Sequence, residues 1–364
     1  MMARVQHAKY RHRLPQLDGG LFLTDGGLET TLIFHEGFDL PMFEAFVLVE
    51  SERGRAALRA YYDRYVSMAV RHGNGFILES PTWRANPDWA AKLGYGRDRL
   101  AAVNRAAIDM LHDIRAAYET KRTPLVISGA IGPRGDGYAP GALMRADDAQ
   151  SYHAWQIGVL KEAGADLVSA FTLTNVNEAV GVACAAKAED IPCVISFTVE
   201  TDGRLPTGES LAHAVETVDR ATARGPAYYM INCAHPTHFG DALEDGAAWT
   251  ERVRGLRANA SRKSHAELDN STELDAGNPE ELGELYAELL RRFPHINVLG
   301  GCCGTDHLHV ECISAACLRK KPDETPRPHG SRRGFAAPHH EEESPHPEEG
   351  RRPVSKGEAH LQTS

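Results

Sequence analysis

Eight short apolar runs recur along the first 320 residues, and a stretch with helical spacing of apolar residues fills most of the gaps between them. The runs cover residues 21–24, 75–80, 125–131, 166–172, 193–198, 228–233, 255–260 and 296–299. Strict alternation of strands and helices is typical of parallel sheets, because a helix carries the chain back between neighbouring strands. Eight such units predict an α/β protein that folds as a (β/α)8 TIM barrel. An open doubly wound sheet is the competing architecture, but it seldom needs eight equivalent units, and no Gly-x-Gly-x-x-Gly follows any run.

The 364 residues exceed the roughly 250 of a simple barrel, so additional segments are expected. We predict an N-terminal extension over residues 1–17, a catalytic barrel over 18–320 and a disordered tail over 321–364. Apolar residues nearly vanish from the tail, which is rich in Pro, His, Glu and Arg and cannot bury enough surface to fold. A long polar insertion over residues 258–279 follows the seventh run, and we expect a lid or an extra loop there at the active face.

The charge and hydropathy of the chain exclude several classes of function. The formal net charge is -10, and no basic stripe with interleaved aromatic residues indicates a nucleic-acid partner. No run approaches the roughly 20 apolar residues of a membrane span, and the basic N-terminus lacks the apolar stretch of a signal peptide. We therefore expect a cytoplasmic protein whose thiols stay reduced. Seven cysteines, an odd number, argue against a disulfide framework and leave metal-binding or catalytic thiols open.

Two adjacent cysteines carry the strongest chemical signal. Residues 300–304 read Gly-Gly-Cys-Cys-Gly directly after the eighth run, and Cys233 ends the sixth run. Functional groups of a barrel collect at the carboxyl ends of its strands, and strands six and eight are separated by one strand only. Three thiolates, from Cys233, Cys302 and Cys303, would leave one position of a Zn²⁺ ion open, which is the pattern of a catalytic site. The alternative is that the pair packs in the core, but this does not explain the flanking glycines.

Three thiolates and Zn²⁺ carry a net charge of about minus one, so such a site polarises a carbonyl or a water molecule poorly. It suits a fourth, exchangeable thiolate, because the metal lowers the pKa of that thiol while the anionic ligands keep its sulfur electron-rich. The chemistry that these residues predict is therefore alkylation of a substrate thiol.

Three motifs identify the chain as similar to a known family. Residues 24–27 (Thr-Asp-Gly-Gly), 231–233 (Ile-Asn-Cys) and 300–305 (Gly-Gly-Cys-Cys-Gly-Thr) resemble the homocysteine S-methyltransferase family, which includes betaine–homocysteine methyltransferase. The resemblance runs in order from about residue 21 to residue 318. It implies a (β/α)8 barrel and a zinc-dependent transfer of a methyl group to homocysteine, forming methionine. It also implies an onium donor such as S-methylmethionine, S-adenosylmethionine or betaine.

The resemblance also implies roles for single residues. Cys233, Cys302 and Cys303 match the zinc ligands, and no catalytic residue is expected beyond the zinc site. The other matches concern the pocket for the amino-acid substrate: Asp25, Gly26, Gly27, Ser80 and Asn232. The expected partners are a small-molecule thiol acceptor and a methyl donor, with no nucleic acid and no membrane; the oligomeric state is not predicted.

One departure from the family concerns the fourth strand. Members often carry a Glu-Thr pair there, whose Glu holds the substrate ammonium, but this chain has Phe171 before Thr172. Either Glu79 or Glu200, both at strand ends, supplies the missing charge, or the substrate differs. A methyltransferase of the same fold with another thiol acceptor, a non-catalytic zinc- or thiol-binding protein and the homocysteine half of a corrinoid-dependent enzyme therefore stay open.

Other candidates are weaker. Histidines near the cysteine motifs could be ligands but are more often solvated or capping residues: His235, His238, His307 and His309. Asp306 is first interpreted through helix-end electrostatics. Trp83, Trp89 and Tyr95 could form an aromatic wall for a cationic donor, or simply pack in a loop. We expect packing roles for Cys184, Cys193, Cys312 and Cys317.

Overall fold

A computed structural model describes residues 8–271 and 273–318. Within them eight parallel strands pair in chain order, and β8 pairs with β1, so the sheet closes into a barrel. The strands are β1 Phe22–Leu23, β2 Gly75–Glu79, β3 Leu125–Ile131, β4 Leu167–Leu173, β5 Cys193–Phe197, β6 Tyr228–Asn232, β7 Val253–Ala258 and β8 Val298–Gly301. The predicted (β/α)8 barrel is confirmed. The predicted tail and residues 1–7 of the predicted extension lie outside the described residues.

Long helices follow most strands and pack around the barrel. The α-helices are α1 Leu28–Thr30, α2 Glu52–His72, α3 Pro87–Lys92, α4 Arg97–Tyr118, α5 Ala146–Glu162, α6 Val176–Ala188, α7 Leu211–Thr222, α8 Pro236–Phe239, α9 His265–Asp269, α10 Pro279–Arg292 and α11 His307–Leu318. A π-helical turn spans Thr31–His35, and 3-10 turns span Pro15–Leu17, Pro41–Phe43, Ala45–Glu50, Gly240–Ala242 and Thr250–Arg252. None of the helices in the described residues is both long and apolar enough to cross a membrane.

Side-chain caps fix where several of these helices begin. The Ser51 hydroxyl accepts a hydrogen bond from the Gly54 amide at the start of α2, and Asn278 accepts one from the Glu281 amide at the start of α10. Each cap satisfies a backbone donor that has no partner inside the helix. At the other end of α2, Gly73 takes the left-handed conformation, with φ 69°, that lets the chain turn into β2. The caps therefore set how each crossover delivers the next strand.

Two apolar layers hold the barrel. The outer layer packs the helices on the sheet and includes Leu58, Val66, Ile108 and Leu160. The inner layer fills the barrel with side chains of alternate strand residues: Phe22, Ile77, Val126, Leu167, Phe171, Val194, Tyr228, Met230 and Val298. Burial on both faces explains why the strand runs are continuously apolar rather than alternating. The barrel interior is thus filled by side chains, and the ends of the strands are left to carry functional groups.

Candidate active site

A cavity of about 670 Å³ opens at the carboxyl ends of the strands. Residues at the carboxyl ends of β1, β2, β3, β4, β6, β7 and β8, or in the loops that follow, line it, as in other enzymes of this architecture. The insertion after β7 contributes Ser261, His265 and Leu268 to the wall. The prediction that residues 258–279 form an extra loop at this face is confirmed, and the loop includes α9.

The three predicted thiols meet in this cavity. Cys233, Cys302 and Cys303 have their Sγ atoms within 4.8 Å of one another, and the Sγ atoms of Cys233 and Cys303 are 4.0 Å apart. Sulfurs that each lie about 2.3 Å from one tetrahedral ion are separated by roughly 3.8 Å. Among the residues described, this is the cluster of Cys, His, Asp or Glu whose ligand atoms could share a metal ion.

The structure records Cys233 and Cys302 as a disulfide, with their Cα atoms 5.4 Å apart. This differs from the expectation that the thiols are reduced. The physical reason is their proximity: two sulfurs close enough to share one ion are also close enough to bond to each other on oxidation. Both must be reduced before they can act together as thiolate ligands.

Backbone conformation and small residues bring the thiols together. Cys233 has φ 54°, a left-handed conformation that is costly for a residue with a side chain and that recurs at functional sites. A Cβ atom on Gly27 would lie 2.7 Å from the carbonyl oxygen of Cys302. Only glycine therefore lets the turn after β1 approach the cysteine pair this closely, which gives Gly27 a structural role beside the predicted substrate contact.

Asp25 is engaged by the protein itself. Its Oδ1 lies 2.7 Å from Nη1 of Arg257, and its Oδ2 accepts a hydrogen bond of 2.9 Å from the Tyr61 hydroxyl. Arg257 also donates to the carbonyl oxygens of Gly26 and Gly301, at 3.3 and 3.2 Å. Arg257 and Tyr61 were not predicted from the sequence, although a charged residue inside the apolar seventh run was a readable signal. The ion pair leaves Asp25 less able to bind a substrate ammonium than the motif implies.

Glu79, unlike Asp25, has only part of its hydrogen-bonding capacity used by the protein. Only 6% of its surface is exposed; Oε1 accepts a hydrogen bond of 3.3 Å from the Ser169 hydroxyl, and Oε2 has no hydrogen-bond partner within the described part of the chain. Burial raises the pKa of Glu79 to about 7, although nearby Arg257 acts in the other direction. Burial would lower the pKa of Arg257, but Asp25 and Glu79 raise it instead. The Glu79 carboxylate, which is only partly hydrogen-bonded, thus lines the cavity near the ion pair of Asp25 and Arg257.

The other predicted substrate residues hold the strand ends together. The Ser80 hydroxyl accepts from the Ala130 amide at 3.0 Å, which joins β2 to β3. Asn232 accepts from the Thr172 amide at 2.9 Å, and its Nδ2 lies 4.0 Å from the Sγ atom of Cys302. Thr172 also takes a left-handed conformation, with φ 61°. Ser80 and Asn232 both line the cavity, so their predicted substrate contacts stay predictions.

Phe171, which stands where the family often has a glutamate, and Glu200, a candidate to supply the missing charge, lie in different parts of the structure. Phe171 belongs to the inner apolar layer, and the Arg257 guanidinium lies 5.1 Å from the centre of its ring. Glu200 does not line the cavity. Its side chain is 39% exposed, with Oε1 3.6 Å from Nδ1 of His265. The structure therefore brings Glu79, and not Glu200, into the cavity.

The candidate histidine ligands make local contacts. His235 Nδ1 pairs with the Thr237 hydroxyl at 2.8 Å, and His238 Nε2 lies 2.9 Å from the carbonyl oxygen of Arg262. His309 pairs with Asp306 through Nδ1 at 2.8 Å. None of these histidines joins the cysteine cluster within the described residues, and neither does His307.

The predicted aromatic wall is only partly present. Trp83 and Trp89 line the cavity, but Tyr95 does not and packs edge-on against Phe46. Cationic groups of the protein already lie over the Trp89 ring: the Arg84 guanidinium at 3.9 Å and the Lys92 ammonium at 3.5 Å. Because these two cations lie over the electron-rich ring of Trp89, that ring is less able to bind a cationic methyl donor than the sequence suggested.

A bridge across the mouth was not visible in the sequence. The Tyr138 hydroxyl, on the loop after β3, lies 3.5 Å from the Sγ atom of Cys303. The Tyr138 ring also contacts the His265 ring of the β7 insertion, with centroids 4.3 Å apart. Two loops that are remote in sequence thus meet above the thiol cluster.

A closed barrel with a thiol cluster at its mouth defines the class of enzyme to which the comparisons with known proteins point. The sequence model of the homocysteine S-methyltransferase family matches residues 22–317, and the chain belongs to this family. The prediction that the chain is an enzyme of the methyltransferase class is confirmed.

The relatives have low sequence identity to this chain, but each match covers most of both sequences. A selenocysteine Se-methyltransferase of Brassica oleracea var. italica is 22% identical, over 83% of this chain and 90% of its own. A homocysteine S-methyltransferase of Escherichia coli is 25% identical, over 81% and 94%. The crystal structure of the Escherichia coli homocysteine methyltransferase MmuM in its oxidised form superimposes with a TM-score of 0.67 at 21% identity, covering 84% of this chain and 99% of that one. A structure of its metallated form gives 0.65.

Proposed function

We propose that the chain is a zinc-dependent methyltransferase that moves a methyl group from an onium donor to the thiol of homocysteine, forming methionine. The single observation that carries this proposal is the cluster of three cysteine sulfurs at the mouth of the barrel. Family membership sets the reaction class, and the relatives named for homocysteine and selenocysteine support a small amino-acid acceptor.

The donors present suit zinc. All three are sulfurs, which favour soft and borderline metals over Mg²⁺ or Ca²⁺, and the separation of 4.0 Å between Cys233 and Cys303 suits a tetrahedral ion. Three protein ligands leave one position for an exogenous thiol. When bound, zinc would supply the acceptor sulfur in its thiolate form at neutral pH.

The protein's own residues would align the two substrates and exclude water. In the transfer a bond forms between the acceptor sulfur and the methyl carbon, while the bond from that carbon to the donor sulfur or nitrogen breaks. The bonding electron pair stays on that donor sulfur or nitrogen, which loses its positive charge. The loops that meet at Tyr138 and His265 would cover the reacting groups. Holding both substrates in line supplies much of the rate enhancement of such a reaction.

The charge of the cavity supports a cationic donor. Among the described lining residues, six carry carboxylates and three carry basic side chains. The acidic residues are Asp25, Glu29, Glu79, Asp136, Glu273 and Asp275; the basic ones are Arg84, Lys92 and Arg257. A negative lining attracts a sulfonium or a quaternary ammonium. S-methylmethionine, S-adenosylmethionine and betaine all meet this requirement.

The test is a transfer assay with reduced, zinc-loaded protein. Each of the three donors is incubated with homocysteine, and methionine is quantified by mass spectrometry, with the Cys303→Ser variant as the inactive control. We expect one donor to give methionine with the wild type and none with the variant. Turnover that persists in a zinc-free variant would contradict the mechanism.

A second acceptor merits a parallel assay, because Phe171 replaces the carboxylate common in the family and one relative is named for selenocysteine. Selenocysteine and small thiols other than homocysteine are offered as acceptors under the same conditions. If one of them exceeds homocysteine in kcat/KM, the acceptor in the proposal must change while the zinc chemistry stays. Zinc bound at one ion per chain with no turnover would instead favour a binding protein.

A further inference from the structure

Two positions that the family motifs assign to the substrate ammonium offer no free carboxylate in this chain. Phe171 presents an aromatic ring to the barrel interior where the family motif has a carboxylate. Asp25 is already paired with Arg257 and accepts from Tyr61. An amino-acid acceptor whose ammonium lies near Phe171 and Asp25 would therefore find no counterion at either of these two positions, which is costly in a partly dry site.

Glu79 reaches the region that Phe171 leaves without charge. Its carboxylate crosses from β2 toward β4, where the hydroxyl of Ser169 donates to Oε1 at 3.3 Å. Ser169 lies two residues before Phe171, so both side chains project from the same face of β4. The Ser128 hydroxyl, 2.8 Å from that of Ser169, links β3 to the same group. A carboxylate from a different strand thus contacts β4 two residues before Phe171, on the same face of the strand.

The charged groups around Glu79 leave one carboxylate without a counterion. Asp25, Glu79 and Arg257 form a buried group of two carboxylates and one guanidinium. Arg257 is committed to Asp25 and to two carbonyl oxygens, whereas Oε2 of Glu79 has no partner among the described residues and its side chain lines the cavity. A ligand ammonium would complete the hydrogen bonding of Glu79 and neutralise the group.

We propose that Glu79 holds the ammonium group of the acceptor amino acid and so makes the enzyme selective for α-amino thiols. The inference rests on the proposed function and names the residue that recognises its substrate. Glu79 acts here as a specificity determinant in place of the strand-four carboxylate of the family pattern. An acceptor without an amino group would leave Glu79 unpaired and would bind less tightly.

Two other carboxylates provide matched controls. Glu29 lines the same cavity from α1, and its burial raises its pKa, but no hydrogen bond joins its side chain to β4 in the described residues. Glu200 lies outside the cavity, near His265. If any acidic residue near the mouth could attract the ammonium, replacing Glu29 or Glu200 would weaken binding as much as replacing Glu79.

The experiment compares two ligands that differ only in the amino group. Calorimetry measures the binding of L-methionine and of 4-(methylthio)butanoate to the wild type and to Glu79→Gln, Glu79→Asp, Glu29→Gln and Glu200→Gln. Neither ligand carries a thiol, so their binding does not require a free metal position. We expect the wild type to bind L-methionine about tenfold or more tightly than the deamino analogue. Glu79→Gln should reduce this ratio to near one, and Glu79→Asp should retain part of it.

Transfer kinetics with homocysteine and 4-mercaptobutanoate then separate the two proposals. Loss of the binding ratio in Glu79→Gln, with the ratio kept in Glu29→Gln and Glu200→Gln, supports the role of Glu79 even if the wild type transfers no methyl group; the proposed function alone would then fail. A wild-type ratio retained in Glu79→Gln, or lost instead in Glu29→Gln, would overturn the inference while leaving the transfer chemistry intact.

Discussion

The cysteine pair and its partner carry the function at the scale of single residues. Replacing Cys303 by Ser removes one sulfur donor and leaves Cys233 and Cys302, which cannot hold zinc tightly as a pair. We expect bound zinc to fall from one ion per chain to none, and activity to fall with it. Metal analysis after gel filtration under reducing conditions measures this. Cys184→Ser, on α6, is the matched control and should keep its zinc.

Glu79 also predicts a pH dependence of stability. Burial raises the pKa of Glu79 from an ordinary value of 4.5 to about 7. Nearby Asp25 also raises this pKa, whereas Arg257 and the hydroxyls of Ser128 and Ser169 lower it. The unfolded chain therefore loses this proton at a lower pH than the folded chain. The contribution of Glu79 to stability must decline as pH rises from about 4.5 to about 7 and then level off.

The variant Glu79→Gln lacks that decline. Without ligand we expect it to gain stability relative to the wild type as pH rises from 5 to 7.5, by on the order of 2 kcal/mol. Urea unfolding at several pH values gives the difference. A constant difference across this range would show that Glu79 titrates normally in the folded protein.

The sequence predicted the thiols because their chemistry is written locally: two adjacent cysteines between glycines at a strand end favour a metal site over core packing. It did not predict the ion pair between Arg257 and Asp25, because that pair joins residues more than two hundred positions apart. Nor did it predict that Lys92 and Arg84 cover Trp89. Contacts of this kind depend on side-chain directions after closure of the barrel, which no local pattern contains.

At the scale of elements, Arg257 ties three strand ends together. From β7 it reaches Asp25 and Gly26 after β1 and Gly301 at the end of β8. Replacing it by Met would leave Asp25 buried without its partner. Breaking a buried pair in this way costs about 3–5 kcal/mol.

A double-mutant cycle isolates this pair. We expect the double variant Asp25→Asn, Arg257→Met to be more stable than Arg257→Met alone, since no buried charge is then left unpaired. Chemical denaturation of the wild type, both single variants and the double variant provides the four free energies of unfolding. Additive losses would mean that the two side chains do not stabilise each other.

Most elements could be predicted because both faces of each strand are buried and each run is apolar. The boundaries were less accurate: β7 was expected over residues 255–260 and lies at Val253–Ala258, while β1 has two residues rather than four. The insertion after β7 was expected to be a lid or an extra loop, and it contains α9, which starts at a capping box of Ser264 and Glu267. That box was readable in the sequence, whereas the contact of this insertion with Tyr138 was not.

At the scale of the whole molecule, closure of the barrel brings together thiols that are 69 residues apart in the chain. A zinc ion bound by the folded state alone would stabilise the whole barrel by about 2.7 kcal/mol at a hundredfold excess over its Kd. We therefore expect zinc to raise Tm by several degrees in the presence of a reductant and to have no effect while Cys233 and Cys302 are bonded. Calorimetric scans with and without reductant test this, and an equal shift in both would place the ion elsewhere.

The proposed mechanism requires that three cysteines hold zinc with one position open for the acceptor sulfur. Zinc X-ray absorption on the reduced protein, before and after addition of homocysteine, tests this requirement directly. We predict three sulfur neighbours from the protein and a fourth once homocysteine is present. Zinc whose sulfur neighbours stay unchanged on adding homocysteine would contradict the proposed acceptor, and protein without zinc under reducing conditions would contradict the metal site itself.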